Sequence, residues 1–193
     1  MPRVVRKQKP PALTDYRKFK PYLRLDFDRR CAYCHIPEDR YGSAGNFAVD
    51  HFRPKSRREF RRLVCVYSNL FYACRDCNLY KAAHWPDEED RRHGRHLLNP
   101  CRVDLSKHWN VAEAGNLVPV SKAAEYMIQR MKLNRSELLK FRKRKADQLL
   151  KIRRLELVLS EVPGGTFSKR ELLNLLATWK RELAGEFGDY WNA

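Results

Sequence analysis

Two cysteine pairs constrain this chain more than any other feature. Cys31-x-x-Cys34 and Cys74-x-x-Cys77 stand 39 residues apart. Each pair can present two sulfurs to one tetrahedral ion, so folding has to bring two distant points of the chain together and pin them there. A closed four-sulfur shell leaves no position for a substrate, which makes the expected ion a structural zinc held by Cys31, Cys34, Cys74 and Cys77. Cys65 and Cys101 are left over and read as core residues. Cys31-Ala-Tyr-Cys34-His35 also fits the attachment pattern of c-type haem. That chemistry requires export, whereas Met1 to Pro11 is basic, contains proline and has no apolar signal core. It would also leave the second cysteine pair without a role. No apolar run approaches the length of a membrane span. A cytoplasmic protein with reduced thiols is therefore expected, with no membrane partner.

The stretch between and after the pairs reads as a β-β-α unit. Phe47 to Phe52 and Leu70 to Ala73 read as short strands. Arg75 to Ala83 has no breaker and reads as a helix that ends before Pro86. Residues 1–12 look like a flexible basic arm, and residues 14–29 lead as a helix into the first pair. Asp87 to Asp90 reads as a solvated acidic loop, and residues 97–119 as an irregular region. Beyond that the pattern is helical. Ser121 can cap a helix to about Lys132. Asn134 with Glu137, and Ser168 with Glu171, resemble capping boxes at the starts of two further helices. Pro163-Gly-Gly165 separates those two. The expected fold class is α+β: a zinc-ribbon-supported ββα core followed by a helical C-terminal region. The organisation expected is an arm and lead-in helix over 1–28, a zinc-supported unit over 29–100 and helices over 101–193.

Charge points to the partner. The chain carries 40 Lys and Arg against 23 Asp and Glu, a formal net charge of +17. Such an excess favours a polyanion, and the basic residues cluster rather than scatter. Arg53, Lys55, Arg57 and Arg58 follow directly on Asp50-His51. A second cluster runs from Arg130 to Arg154, where a basic helix face lies opposite an apolar stripe that is expected to pack on residues 169–185. Nucleic acid is the partner this distribution fits.

Asp50, His51 and Asn78 supply different chemistry from the thiols. Imidazole titrates near neutral pH, which makes His51 a candidate general base. A carboxylate and a carboxamide are oxygen donors of the kind that Mg²⁺ or Mn²⁺ accepts, with water and phosphate oxygens filling the remaining positions. Neighbours on a strand point to opposite faces, so Asp50 and His51 can address one phosphate only where the strand bends or ends. Asn78 directly follows Cys77, so the sulfur site would fix where that amide points. His84 lies one turn beyond Lys81 and stands as a further candidate for metal or substrate, although packing of the Trp85-Pro86 segment explains it equally well. His93, His96 and His108 read as surface residues.

Taken together, Val49-Asp50-His51-Phe52-Arg53-Pro54-Lys55, Asn69-Leu70 and Cys74-x-x-Cys77-Asn78-x-x-Lys81 resemble the HNH endonuclease family, in its zinc-ribbon form of the ββα-metal fold. The resemblance covers roughly residues 29–85. It implies that Asp50 is a metal ligand, that His51 is the general base and that Asn69 braces the loop and orients the base. It implies that Asn78 is the last metal ligand and that Lys81 contacts phosphate. Asn78 stands where the family's name-giving last residue is His, a replacement many members carry. Leu98-Asn-Pro100, Gly115-Asn-Leu-Val-Pro119 and Met131-Lys-Leu-Asn-Arg135 resemble HNH subunits of bacterial anti-phage systems such as Septu, which work with an ATPase.

The resemblance thus implies a metal-dependent phosphodiesterase that cuts DNA, double-stranded DNA above all, in anti-phage defence and under the control of a protein partner such as an ATPase. Two alternatives stay open: a non-catalytic zinc-structured nucleic-acid-binding subunit of a larger complex, and an RNA-directed nuclease.

Overall fold

The structure, a computed structural model, describes residues 3–187. Its organising unit is a short antiparallel hairpin. β1 (Phe47–His51) pairs with β2 (Leu70–Cys74), with Phe47 opposite Cys74 and His51 opposite Leu70. All five β2 residues are completely buried, so this strand forms the floor of the core. α2 (Arg75–Lys81) follows without a loop. Cys74 is its extended N-cap residue, so Cys74 and Cys77 leave the same end of the strand–helix joint three residues apart. α1 (Lys20–Asp26) packs on the hairpin from the N-terminal side, with Pro21 in its first turn, where a missing N–H is harmless.

The N-terminal arm is not free. Val4 is buried and its N–H donates to the Pro100 carbonyl at 2.8 Å. Buried Asp26 accepts from the backbone of Lys7 and of Gln8, both at 2.8 Å, and from the Tyr67 hydroxyl at 2.7 Å. Arg6 donates to the Tyr67 and Leu70 carbonyls and lies over the Phe27, Tyr67 and Phe71 rings. These contacts replace the expected flexibility with a strap across the core.

Further along, the acidic run is a helix rather than a loop. Asp87 caps α3 (Glu88–Arg92) by accepting from Asp90 N–H at 2.7 Å, and the carboxylates of its first turn suit the positive helix end. The stretch expected to be irregular contains a second hairpin, β3 (Trp109–Val111) with β4 (Leu117–Pro119). Three-residue strands carry too few alternations to be visible in sequence. Ser121 does cap α4 (Lys122–Arg130), accepting from Ala124 N–H.

α5 (Ser136–Glu161) and α6 (Phe167–Phe187) form a long hairpin across the Pro163-Gly-Gly165 break. Neither expected capping box forms. Asn134 spends its side chain on the Leu117 backbone, accepting from its N–H at 2.7 Å and donating to its carbonyl at 2.9 Å, and Arg135 becomes the N-cap of α5. Thr166, not Ser168, accepts from Lys169 N–H at the start of α6. One continuous core of buried side chains extends from Val4 to Leu138, and a smaller cluster joins Phe141, Ile152, Leu183 and Phe187 within the α5–α6 hairpin.

The basic cluster of α5 is less exposed than expected. Arg142 is buried and donates to the carbonyls of Gly115 and Leu133 and to Asn134 Oδ1. Gly115 is required there: its φ is +88°, and a Cβ would stand 2.4 Å from the Leu139 carbonyl oxygen. Lys145 is buried as well, and burial pulls its ammonium down to about 7. Lys140, Lys143, Arg144, Lys151, Arg153 and Arg154 remain on the surface.

Candidate active site and sulfur centre

The four cysteine sulfurs converge. All lie within 4.8 Å of one another, and Cys34 Sγ is 3.7 Å from Cys74 Sγ. A tetrahedral ion with metal–sulfur bonds of about 2.3 Å sets sulfur–sulfur edges of about 3.8 Å, which the Cys34–Cys74 edge matches and the other edges approach to within about 1 Å. Cys31 and Cys34 belong to a knuckle in which Tyr33 N–H points at Cys31 Sγ at 3.5 Å, and His35 takes a positive φ to turn the chain. Arg135, the N-cap residue of α5 and distant in sequence, lays its guanidinium 3.8 Å from the sulfurs of Cys34, Cys74 and Cys77. It also pairs with Asp76. Four thiolates around a divalent ion keep two net negative charges, and a guanidinium at that distance offsets part of them.

The sulfur centre reaches the second site through Tyr33 and Lys81. Tyr33, lodged between two cysteines, donates its buried hydroxyl to Asp50 Oδ2. Lys81 Nζ donates to Asp50 Oδ1 at 3.0 Å and to the His51 carbonyl at 2.6 Å. Asp50 is thus clamped from two sides, and burial raises the Tyr33 hydroxyl far above the ordinary phenol range. Lys81 is completely buried. This corrects the expectation that Lys81 contacts a substrate phosphate: its ammonium neutralises Asp50 and fixes the end of β1 instead.

His51 is the last residue of β1, after which the chain turns, and this allows both it and Asp50 to line one open cleft together with Asn78. The imidazole is oriented from two directions. Its Nε2 lies 3.0 Å from the Val64 carbonyl, and the Tyr16 ring meets it edge-on with centroids 4.7 Å apart. A carbonyl can only accept, so Nε2 carries the proton and Nδ1 keeps the basic lone pair. Burial holds this imidazole below the ordinary histidine range, which favours the uncharged base, partly opposed by the Val64 hydrogen bond and the Asp50 charge.

Asn69 works on the backbone. Its Oδ1 accepts from Arg53 N–H at 2.9 Å, and its amide donates to the carbonyls of Arg53 and Leu63 at 3.1 and 3.3 Å. It therefore ties the turn after His51 to the segment that carries Val64, the residue that orients the imidazole. Half-buried Asn78 lines the cleft from α2.

Basic side chains surround these groups. Lys55 is exposed and donates to the Tyr16 hydroxyl at 2.6 Å. Arg53 is exposed and stands over the Phe60 and Trp85 rings. Arg58 is exposed, whereas Arg57 donates to the Trp85 carbonyl at 2.9 Å and is partly used by the fold. Arg17 and Lys20 line the cleft as well. His84 is not part of the site: its Nε2 bonds the Tyr126 hydroxyl. His93 and His96 are exposed, and His108 is half-buried against Ser121.

Sequence reasoning missed Tyr16 and Tyr33. Tyr33 left a signal, a large polar side chain between two metal ligands. Tyr16 left none, because its contact with His51 crosses 35 positions, from a turn outside the motif.

No curated protein and no solved structure matches the chain. Residues 31–83 match the family model described as HNH endonuclease, which spans both cysteine pairs, Asp50, His51, Asn69 and Asn78, and with the ββα hairpin and the four-sulfur cluster the chain carries an HNH domain there.

Proposed function

We propose that the protein is a metal-dependent endonuclease that hydrolyses phosphodiester bonds of double-stranded DNA. The observation that carries this reading is the convergence of an oriented His51 with Asp50 and Asn78 on one open cleft rimmed by Arg17, Lys20 and Lys55. The donor set fits a hard cation. A carboxylate offers about four lone-pair directions, of which Tyr33 and Lys81 use two, and Asn78 adds a carboxamide oxygen. Asp50 and Asn78 would hold Mg²⁺ or Mn²⁺, which supplies charge stabilisation at the phosphoryl and leaving oxygens. Cys31, Cys34, Cys74 and Cys77 would hold Zn²⁺ as a structural ion.

His51 Nδ1 takes a proton from a water molecule as that water attacks phosphorus. The bond from phosphorus to the 3′ oxygen breaks, leaving 5′-phosphate and 3′-hydroxyl ends, and the leaving oxygen is protonated from solvent. Tyr33 and Lys81 keep the Asp50 carboxylate from rotating during this step, and Val64 keeps the imidazole in the reactive tautomer. One such site cuts one strand, so a double-strand break requires two encounters or two copies.

Supercoiled plasmid incubated with Mg²⁺ or Mn²⁺ tests the reading. Nicked and linear forms are expected, and His51→Ala should slow their appearance by about 10² to 10⁴-fold, the usual contribution of a positioned base, with DNA binding retained. A wild-type protein that leaves duplex intact with either metal would favour a zinc-structured binding module. Side-by-side digestion of duplex DNA and tRNA ranks the RNA-directed alternative. The segments resembling anti-phage nucleases support a role in defence under a partner such as an ATPase. Plaque counts on cells expressing wild-type or His51→Ala protein test that setting.

A further inference from the structure

A second concavity opens on the other side of the turn that follows His51. Asp50, His51, Pro54 and Lys55 line the cleft, while Phe52 and Arg53, between them in sequence, line a larger groove of about 1030 Å³. Its remaining walls come largely from outside the family-matched segment: the N-terminal strap and residues 85–103. The floor is apolar, with Val4, Phe52, Leu97 and Leu98 all buried. The rim carries Arg3, Arg53, Arg91 and Arg102, all exposed, and among the described residues no acidic one lines the groove.

Several arginines elsewhere in the molecule are tied up in ion pairs. Arg17, Arg24, Arg57, Arg95 and Arg135 each lie within ion-pair distance of a carboxylate. Among the described residues, none of the four rim arginines is ion-paired. Four uncompensated guanidiniums around one groove repel each other, and a polyanion relieves that repulsion while releasing its own counterions.

We infer that this groove seats the phosphate backbone of double-helical nucleic acid on the flank of the scissile bond, extending the footprint beyond the HNH domain. The inference rests on the nuclease reading of the neighbouring cleft. The choice of a duplex over a single strand follows from the rings. Single strands are held largely by base stacking on aromatic faces. Of the larger rings lining the groove, Phe52 is buried, and Trp85 is packed edge-on against Phe52 and Phe60 at 5.5 and 5.3 Å and lies beneath Arg53, while the exposed His96 is a single small imidazole at the rim. Phe52 and Trp85 offer no open face, and one imidazole makes no platform for successive bases, whereas backbone phosphates need only the guanidiniums. Arg53 lines the groove immediately before Pro54 of the cleft in sequence, and its backbone is held by Asn69, so the turn after His51 separates the two concavities by a single stretch of chain.

Fluorescence anisotropy with a labelled duplex and its single strand, in the His51→Ala background without added divalent cation and over a range of salt, tests the groove. Arg91→Gln with Arg102→Gln should weaken duplex binding about tenfold. The same pair should lower the slope of log affinity against log salt by about 2, because each guanidinium that neutralises a phosphate displaces close to one counterion. Arg3→Gln, made separately, should lower it by about 1. The duplex should bind more tightly than the single strand. An unchanged slope in both variants, or equal affinity for the two probes, overturns the inference. The two readings fail separately: a wild-type protein that cuts duplex but whose rim variants keep the full slope loses only the groove. Rim-dependent duplex binding by a protein that never cuts loses only the nuclease.

Discussion

The HNH domain and the α5–α6 hairpin hold together by opposite means. The domain is organised by polar groups taken out of water and given specific partners: Asp50 between Tyr33 and Lys81, Asn69 on two carbonyls and an N–H, Arg135 on three sulfurs. The hairpin is organised by an apolar seam, with Phe141 against Phe187 at 5.0 Å and Ile152 and Leu183 beside them. Its outer surface still exposes Leu157 at 67% and Phe167 at 72%. A polar network tolerates almost no substitution, because removing one member strands another in a dry interior. An apolar seam loses stability in proportion to what is removed. The domain should therefore fail abruptly and the hairpin gradually.

Metal removal should break the comparison most widely. Structural zinc contributes on the order of 10 kcal/mol to small sulfur-ligated units. Stripping it with a chelator, or mutating Cys77→Ser, should open residues 31–83 to complete amide exchange and abolish cutting. The seam of 141–187 contains no ligand, so its amides should retain part of their protection. Equal loss of protection in both halves would show that the hairpin has no stability of its own.

Lys81→Met comes next. It leaves the buried Asp50 carboxylate facing the Tyr33 hydroxyl alone, and breaking one partner out of a buried pair costs about 3–5 kcal/mol. A denaturant melt should show that loss, whereas Leu157→Ala, on the exposed surface of the hairpin, should stay within about 0.5 kcal/mol of wild type. A small effect at Lys81 would mean that Asp50 finds other partners.

What was legible in the sequence divides along the same line. The cysteine spacing, the short apolar runs of β1 and β2 and the unbroken stretch of α2 all carry local signals, and those elements lie close to where they are expected. The bottom of the site does not announce itself. The family resemblance implies a phosphate contact for Lys81, and only the folded chain shows it buried and paired with Asp50. The partner of His51 is a backbone carbonyl 13 positions away, which no side-chain motif can encode. In the C-terminal region the helices were legible and their caps were not. Asn134 looks like a cap, but the β4 backbone competes for its amide and wins.

Acid should sharpen the picture of the site. Burial depresses the His51 pKa, so the base form persists below the ordinary histidine value of about 6.5. Cleavage should be level above that pH and fall by about tenfold per unit once pH drops below the depressed pKa, since each unit of pH then removes a factor of ten of neutral imidazole. The sign for stability is the same. The unfolded chain takes up a proton at His51 before the folded one does, so the fold loses stability as pH falls below about 6.5 and through the depressed value. Single-turnover rates and melts measured over the same pH range separate the two effects. A rate that begins to fall above 6.5 would mean that the imidazole is charged more easily in the folded chain than in water, against the burial it shows.

The smallest expected effect tests the hairpin at its weakest point. Thr166 Oγ1 accepts from Lys169 N–H at 3.2 Å and donates to the Pro163 carbonyl at 3.1 Å, so it closes the turn and caps α6 at once. Thr166→Ala should cost about 1 kcal/mol, the usual worth of an N-cap, whereas Ser168→Ala, at the position sequence alone favours, should cost less than about 0.5 kcal/mol. Amide exchange read at the first turn of α6 should show the difference without any change over 31–83. If Ser168→Ala frees those amides and Thr166→Ala does not, the helix begins two residues later in solution and the cap belongs to the serine.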